Sequence, residues 1–477
     1  MKKVLIFILI ICLIGGGIAG IYFYNYKKDK TIKVGFSKIS ITPNYSVPLA
    51  GSGASETRMS TAIKDNIYAT CIAFRDVKGQ MAVILTLDLL HMSDENNNVY
   101  SNIVNQIQND HGITKNKVIV SATHCHSAPD IFSWHETIKN QYLPELYSKI
   151  KTVVKDAIYD CKTSKSSEFL CGQIEINNMS FVRRYFDKYG NFVGVNWDNT
   201  NPAVSHESQA DNKLQVVKFK RQGMKDIVLV NWGAHPATVP GAVISGDYVS
   251  YFRSAVEAAG YDVAFFQGAS GNVATTSEIQ DEIQYNRGTK EYGEQLAEAF
   301  LTGIANEENF YQLSLTGALR GTIVDYCAYY DDTIYLNVDK AIEIFEAYAT
   351  GEITFEEATT QAKKYGFSSV YECGKVRLVN KMVDSPTVNM PLVVITFAEV
   401  AFAAAPYEMF SENAIHIRSA SKAKTTFVLT NSNGSHSYIP TQAAFANKGY
   451  EVAVCQFRKG TAELLQAKFI ELINANI

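Results

Sequence analysis

The chain has 477 residues, of which 47% are hydrophobic and 19% are charged. This composition predicts a folded protein with a sizeable core and excludes a chain that is disordered throughout. The formal net charge is −4, and no basic cluster is interleaved with aromatic side chains, so nothing in the sequence favours nucleic-acid binding. The length suits one large domain or two ordinary ones.

The first 30 residues differ from the rest of the chain. Two lysines precede an almost uninterrupted apolar run over residues 4–24, and three more lysines follow it. About 20 apolar residues in a helix cross a bilayer core, so we predict an uncleaved N-terminal transmembrane helix within a membrane anchor at 1–30. A cleaved signal peptide is the alternative. The main domain is therefore expected to be membrane-anchored and extracytoplasmic, or secreted if the segment is cleaved.

After the anchor, strands and helices alternate. Strands are predicted at 32–41, 66–76, 80–90, from 118, and at 169–176, 213–220, 226–232, 262–267, 392–405 and 425–430. Helices are predicted at 93–112, 143–159, 246–260, 288–304 and 459–474. Residues 335–366 are interpreted as a helical insertion with a capping box at Thr354 and Glu357. We predict one α/β domain over residues 31–477, a mixed β-sheet core flanked by helices.

A His-x-His pair follows the strand that begins at Val118. Side chains at positions i and i+2 of an extended segment point to the same face, so His124 and His126 are expected to reach one point in space. Imidazole is the commonest protein ligand for zinc and a usual acid or base near neutral pH. The alternative interpretation of this pair is two polar residues at the end of a strand, without a metal or catalytic role. Cys125 is expected to face the other way, as a small buried side chain.

Three further loops carry possible ligands at predicted strand ends: His235, Glu408, and Tyr438 with His436 close by. Each has an ordinary alternative, respectively a hydrogen-bonded loop histidine, a carboxylate at a helix N-terminus and a half-buried aromatic. Catalytic zinc sites use three or four such ligands and leave a position open for water. Asp88 and Asp247 are candidate acceptors for the imidazole N–H groups.

Five motifs in a fixed order raise the significance of these residues. They are His-x-His-Ser-x-Pro, Asn-Trp-Gly-Ala-His-Pro-Ala-Thr, Gly-Ala-Ser-Gly-Asn-Val, Ala-Pro-Tyr-Glu and Ser-Tyr-Ile-Pro-Thr. Together, over about 400 residues, they resemble the catalytic domain of the neutral/alkaline, non-lysosomal ceramidases. The resemblance implies one zinc ion held by His124, His235, Glu408 and Tyr438. It also implies that His126 lies beside the metal and contacts substrate or the attacking water.

Some features depart from that family. Its members carry a serine where this chain has Ala274, with Ser270, Thr275 or Thr276 as possible substitutes. They also carry an immunoglobulin-like domain after the catalytic domain, and this sequence ends before such a domain, as expected for a bacterial relative without it. The resemblance therefore implies the metal site and the hydrolase chemistry for this chain more strongly than it implies ceramide as the substrate.

The resulting expectation is a zinc-dependent hydrolase that cleaves an amide, with a ceramide-like N-acyl lipid as the first substrate to consider. His126 and Tyr438 are the expected catalytic groups. Ser270 and Asn272, together with Arg183 and Arg184, are the expected substrate-binding residues. The alternatives are a cell-envelope amidase or esterase with a non-sphingolipid substrate, and a surface protein that keeps zinc for binding only. The sequence contains eight cysteines without a regular framework, and Cys161 and Cys171 are a candidate disulfide pair.

Overall fold

A computed structural model of the chain describes residues 31–51, 58–92, 97–194, 202–333, 335–381, 385–447 and 449–477. The predicted anchor at 1–30 and the predicted helix start at residue 93 lie outside the described residues. Within the described part of the chain, no helix is both long enough and apolar enough to cross a membrane.

Twenty-two strands form seven sheets in the described residues. In chain order they are β1 (Lys33–Ser40), β2 (Ala62–Ile63), β3 (Tyr68–Arg75), β4 (Met81–Leu87), β5 (Val118–Ala122), β6 (Ser166–Glu175), β7 (Phe181–Val182), β8 (Tyr185–Asp187), β9 (Phe192–Gly194), β10 (Ala203–His206), β11 (Lys213–Arg221), β12 (Ile227–Trp232), β13 (Val243–Ile244), β14 (Asp262–Gln267), β15 (Val273–Ala274), β16 (Phe310–Gln312), β17 (Leu319–Tyr329), β18 (Thr387–Phe397), β19 (Val400–Ala404), β20 (Glu408–Met409), β21 (Thr425–Leu429) and β22 (Tyr438–Ile439).

Ten α-helices lie between or beside these strands in the same residues. They are α1 (Val99–His111), α2 (Leu143–Thr163), α3 (Asp247–Ala258), α4 (Thr289–Ala305), α5 (Val338–Ala349), α6 (Phe355–Lys364), α7 (Val370–Lys381), α8 (Ser411–Ala420), α9 (Tyr450–Val454) and α10 (Thr461–Asn476). The predicted mixed α/β architecture is confirmed.

Three large sheets share one topological unit. The first has the order β1-β3-β4-β5, the second β14-β12-β11-β6-β16 and the third β17-β18-β19-β21. In each sheet an antiparallel hairpin is followed by a helix and then by a strand parallel to the second hairpin strand. The helices are α1, α3 and α8 respectively. This repeat is topological, because the sequence shows no internal repeat.

The three sheets pack face to face around one aromatic core. Phe74 of the first sheet lies 6.0 Å from Phe219 of the second, measured between ring centroids. It also lies 5.1 Å from Phe397 and 5.7 Å from Phe402 of the third sheet. The opposite faces of the sheets are covered by α1 and α2, by α3 and α4, and by α8 and α10. Burial of these apolar faces provides the main stabilisation of the fold.

The ends of the parallel strands of the three sheets meet at one edge. The backbone N–H of Ala122, at the end of β5, donates to the carbonyl of Asn431, which follows β21, at 3.2 Å. Thr430 likewise donates to the carbonyl of Gln267, the last residue of β14, at 3.2 Å. Because β1 is antiparallel to β3 and β3 to β4, the first residue of β1 lies at the edge opposite to this one. Loops from three separate sheets therefore converge on the same place.

The helical insertion is larger than the sequence indicated. The predicted capping box of Thr354 and Glu357 is present at the start of α6. A third helix, α7, extends the helical stretch beyond residue 366 to Lys381. The three helices α5, α6 and α7 have a small apolar core of their own, which includes Ile344 and Phe367.

Candidate metal centre and its cavity

The His-x-His segment is a turn rather than a continued strand. β5 ends at Ala122, and His124 has a φ of 64°, in the left-handed region that costs a non-glycine residue roughly 1–2 kcal/mol. The expectation of an extended segment is therefore wrong, although the two imidazoles do converge, with ring centroids 4.9 Å apart. Cys125 turns away, is fully buried and donates its thiol to the carbonyl of Ser245, as expected for a small core residue.

Each imidazole of His124, His126 and His235 is fixed through its Nδ1 atom. The three Nδ1 atoms are hydrogen-bonded to the backbone carbonyls of Leu90 at 2.8 Å, Gly51 at 2.7 Å and Ser270 at 2.9 Å. A carbonyl accepts the Nδ1–H proton, so the neutral ring keeps a lone pair on Nε2. Three Nε2 lone pairs therefore point into one space.

Gly51 is required at its position beside His126. Its φ is 99°, and a Cβ atom there would lie 2.6 Å from the imidazole. Asp88 and Asp247, expected to accept from imidazoles, bond elsewhere instead. Asp88 accepts two hydrogen bonds from Arg253, and Asp247 accepts from Thr238. Backbone carbonyls take the place of those carboxylates.

The spacing of the donor atoms fits a metal ion. The His124 Nε2 atom lies 3.0 Å from His235 Nε2, 3.4 Å from His126 Nε2 and 3.1 Å from Glu408 Oε2. The His235 Nε2 atom lies 3.7 Å from the same Glu408 oxygen. Two ligands of a tetrahedral zinc ion, each at about 2.0–2.1 Å, are about 3.4 Å apart. Nitrogen lone pairs held this close repel one another unless a cation lies between them.

Glu408 and Tyr438 are held side by side by a short parallel strand pair. β20 and β22 pair with Glu408 directly opposite Tyr438. The Oε2 atom of Glu408 is buried and has no hydrogen-bond donor among the described residues. An orphaned carboxylate oxygen that faces imidazole lone pairs is satisfied by a bound cation. Four of the residues expected around a metal are thus brought together.

Burial and neighbouring charges shift the pKa values of these groups. Burial, together with nearby His124, lowers the pKa of His126 to about 3. Burial and then Arg183 lower the pKa of His235 well below its usual value. Burial alone would raise the pKa of Glu408, but the nearby His124 and Tyr438 side chains lower it to about 2. Burial and then Glu408 raise the pKa of Tyr438. Neutral imidazoles beside an ionised carboxylate form the donor set that a divalent cation needs.

Arg183 lies next to Tyr438 and connects it to a buried carboxylate. Its Nη2 atom donates to the Tyr438 hydroxyl at 3.2 Å and to the carbonyl of Gly271 at 2.9 Å. Its Nε atom donates to Glu451, which is fully buried, at 3.1 Å. Burial by itself would lower the pKa of Arg183, but Tyr438 and Glu451 outweigh it and raise this pKa. Arg183 therefore orients the phenol and also lines the cavity described next.

The other residues expected to bind substrate lie behind the cavity wall. Arg184 is fully buried and forms ion pairs with Glu207 and Glu451. The Asn272 side chain bridges Glu412 and the backbone of residue 411. Ser270 is buried, and its carbonyl accepts from the His235 imidazole. The structure does not bring these three side chains to the cavity.

A cavity of about 1230 Å³ opens above the imidazoles. His126, His235 and Tyr438 form its floor, and Ala274, with the adjacent threonines 275 and 276, forms part of its side. The helical insertion provides most of the opposite wall, through residues Phe345, Tyr348, Ile353, Tyr371, Gly374, Arg377 and Leu378. The insertion therefore covers the candidate metal centre, which the sequence alone did not indicate.

Tyr450 is a cavity residue that the sequence reasoning missed. It begins α9, and its ring contacts that of Tyr438 edge to face, with centroids 5.5 Å apart. Burial, followed by the charge of Glu408, raises the pKa of Tyr450. A tyrosine 12 residues after a candidate ligand carries no motif signal, so its place is visible only in the fold. The seven cysteines of the described residues are all free, so the candidate disulfide is absent.

Comparison with known proteins gives matches at the level of structure alone. No protein-family model and no curated protein sequence matches the chain. A structure of a ceramidase complexed with C2 superposes with a TM-score of 0.68 at 15% identity, covering 94% of this chain and 75% of that chain. The neutral ceramidase from Pseudomonas aeruginosa gives a TM-score of 0.67 at 16% identity, with the same coverage. The chain has the fold of these ceramidases, which supports the resemblance that the ordered motifs indicate.

Proposed function

We propose that the protein is a zinc-dependent hydrolase that cleaves the carboxamide bond of an N-acyl compound, with a ceramide-like lipid amide as the first substrate to test. The observation that carries the proposal is the convergence of His124, His235 and Glu408 at a cavity of about 1230 Å³, which His235 lines, in a ceramidase fold. Both similar structures are structures of ceramidases.

The residues proposed to hold the zinc ion are His124, His235, Glu408 and Tyr438. When bound, a zinc ion lowers the pKa of a coordinated water from 15.7 to about 7 and polarises a carbonyl oxygen. The fixed Nδ1 hydrogen bonds keep His124 and His235 in the tautomer that offers Nε2 to the metal. Arg183 holds the hydroxyl of Tyr438 in place from the other side.

His126 is the proposed acid and base. It lines the cavity, and its Nδ1 bond to Gly51 leaves the Nε2 lone pair free to accept a proton near the substrate. The same nitrogen can then return the proton to the departing amine. The hydroxyl groups of residues 275 and 276 line the cavity beside Ala274 and can contact the substrate where the ceramidases carry a serine.

Purified protein, assayed with a short-chain ceramide, other N-acyl amides and matched esters, tests this function. We expect one zinc ion per chain and amide hydrolysis that a chelator removes and added zinc restores. His126→Ala is expected to keep the zinc while kcat falls by about a hundredfold or more, the usual contribution of a general acid or base. Hydrolysis that resists chelation, or protein without zinc, would overturn the proposal. Turnover of esters alone would favour the envelope-esterase alternative.

We also propose that residues 1–30 anchor the enzyme in a membrane with the catalytic domain outside the cytoplasm. The apolar run over residues 4–24 and its flanking lysines support this proposal. Full-length protein is expected to remain in the membrane pellet after an alkaline carbonate wash, whereas a chain that starts at residue 31 is expected in the supernatant. A full-length chain released by carbonate would contradict a spanning anchor, and a shortened full-length product would indicate signal cleavage.

A further inference from the structure

The cavity wall formed by α7 contains a tightly built aromatic contact. Gly374 lies on the face of α7 that lines the cavity, and a Cβ atom at this position would lie 2.5 Å from the ring of Phe345 on α5. The absence of a side chain at residue 374 lets Phe345 pack directly against α7. This contact fixes the position of the Phe345 ring against α7, one helical turn before Arg377.

Arg377 lies against the same ring and faces the same cavity. Its guanidinium carbon is 5.2 Å from the centroid of Phe345. Its Nε atom is buried and has no hydrogen-bond acceptor among the described residues, and no described carboxylate forms an ion pair with this guanidinium. Because this Nε atom is closed to solvent, a ligand in the cavity can reach the guanidinium only through its Nη groups.

The other two cations of the lining already have partners. Arg183 is bonded to Glu451, and Lys375 forms an ion pair with Asp331. Arg377 is therefore the cation of this lining that has a ring contact but no carboxylate partner among the described residues.

The carboxylates of the lining have a different environment. Glu357 accepts from the backbone N–H of Thr354, in the capping box of α6. Glu278 and Glu352, like Glu357, are exposed, so water solvates their charges. The half-buried Arg377, in contrast, has no carboxylate partner among the described residues. This asymmetry favours a ligand that brings negative charge to Arg377 rather than positive charge to the glutamates.

We propose that Arg377 is a specificity-determining residue that binds an anionic oxygen group of the substrate. The substrate class is then an N-acyl compound that carries a carboxylate, sulfonate or phosphate, with its apolar chain against Ile353 and Leu378. A guanidinium held on an aromatic ring is preorganised to donate paired hydrogen bonds to such a group. The inference rests on the proposed function for the position of the amide.

The test measures binding as well as turnover. The full-length protein in a mild non-ionic detergent is titrated by calorimetry with N-octanoylglycine and with N-octanoylglycinamide, which differ by one negative charge. We expect the wild type to bind the anionic compound about tenfold to a hundredfold more tightly, the range of a hydrogen bond to a charged group. In Arg377→Gln this ratio is expected to fall to near one, and Arg377→Lys is expected to restore part of it.

Arg458→Gln is the matched control, because Arg458 is an arginine outside the cavity whose guanidinium also lies over a ring, that of Tyr329. It is expected to keep the wild-type ratio. Equal affinities in the wild type, or an undiminished ratio in Arg377→Gln, would overturn the role of Arg377. Hydrolysis of the neutral amide without any charge preference would leave the proposed function standing while removing this inference. Anion-selective binding that depends on Arg377, without hydrolysis of any amide, would support the role of Arg377 and contradict the proposed hydrolase function.

Discussion

His235→Ala is expected to remove most of the bound metal and to lower kcat/KM for amide hydrolysis by about a thousandfold or more. His235 contributes one of the Nε2 atoms that converge on the centre, and its Nδ1 bond to the Ser270 carbonyl fixes the ring. Alanine removes one of the proposed metal ligands, so a cation is held less firmly beside the His124 Nε2 atom and the unpaired Glu408 oxygen. Elemental analysis of dialysed protein and steady-state kinetics measure the two effects.

His206→Ala is the control for the loss of a bonded imidazole as such. His206 is half-buried, bonds the Val182 carbonyl and pairs with Glu282, but it does not belong to the converging cluster. This variant is expected to keep one metal ion per chain and wild-type turnover. If His235→Ala retained metal with wild-type affinity, the proposed centre would be wrong, whatever happened to the rate.

Glu451→Leu is expected to lower the free energy of unfolding by about 3–5 kcal/mol, the typical cost of leaving a buried charge without its partner. Glu451 is fully buried and bonds Arg183 with one oxygen and Arg184 with the other. Leucine is similar in size but leaves the buried Arg184 and the partly exposed Arg183 short of one negative charge. Because Arg183 also holds Tyr438, the variant is expected to lose activity even under conditions where it is folded.

Urea denaturation of Glu451→Leu, compared with a control variant, Glu471→Leu, measures the change in the free energy of unfolding. Glu471→Leu replaces a glutamate of α10 whose carboxylate pairs with Lys468 and is 65% exposed. An exposed ion pair contributes roughly 0–1 kcal/mol, so this control is expected to change stability little. A Glu451→Leu variant as stable as the control would show that Arg183 and Arg184 do not depend on Glu451.

Local sequence signals predicted many of the strands and the ends at which the candidate site lies, but the single strand predicted at 392–405 is the hairpin of β18 and β19, and β17 was not predicted. The apolar, β-branched run that starts at Val118 forms β5, and the polar residues after several strands meet at one edge. The capping box at Thr354 was also predicted, because it depends on residues three apart. The ligand candidates came from five ordered motifs and a family resemblance, since no single histidine distinguishes itself by local pattern.

What the sequence did not predict depends on contacts between distant residues. The three-sheet core joins Phe74 to Phe397, more than 300 positions away, so no local pattern indicates it. The neighbouring residues Arg183 and Arg184 look equivalent in sequence, yet the first lines the cavity and the second is enclosed by carboxylates. The backbone carbonyls that fix the imidazoles leave no trace in the sequence, because any residue can supply a carbonyl.

The direction of β1 has a consequence for how substrate reaches an anchored enzyme. Its first residue, Lys33, lies at the edge opposite to the candidate metal centre, and its eight residues span about 24 Å at about 3.4 Å per residue. In a chain anchored by residues 4–24, as we propose, the sheets stand between that bilayer and the cavity. The cavity then faces outward, so substrate arrives from the surrounding medium or from an opposing surface. Lateral diffusion within the anchoring leaflet would deliver a lipid to the wrong end of the molecule.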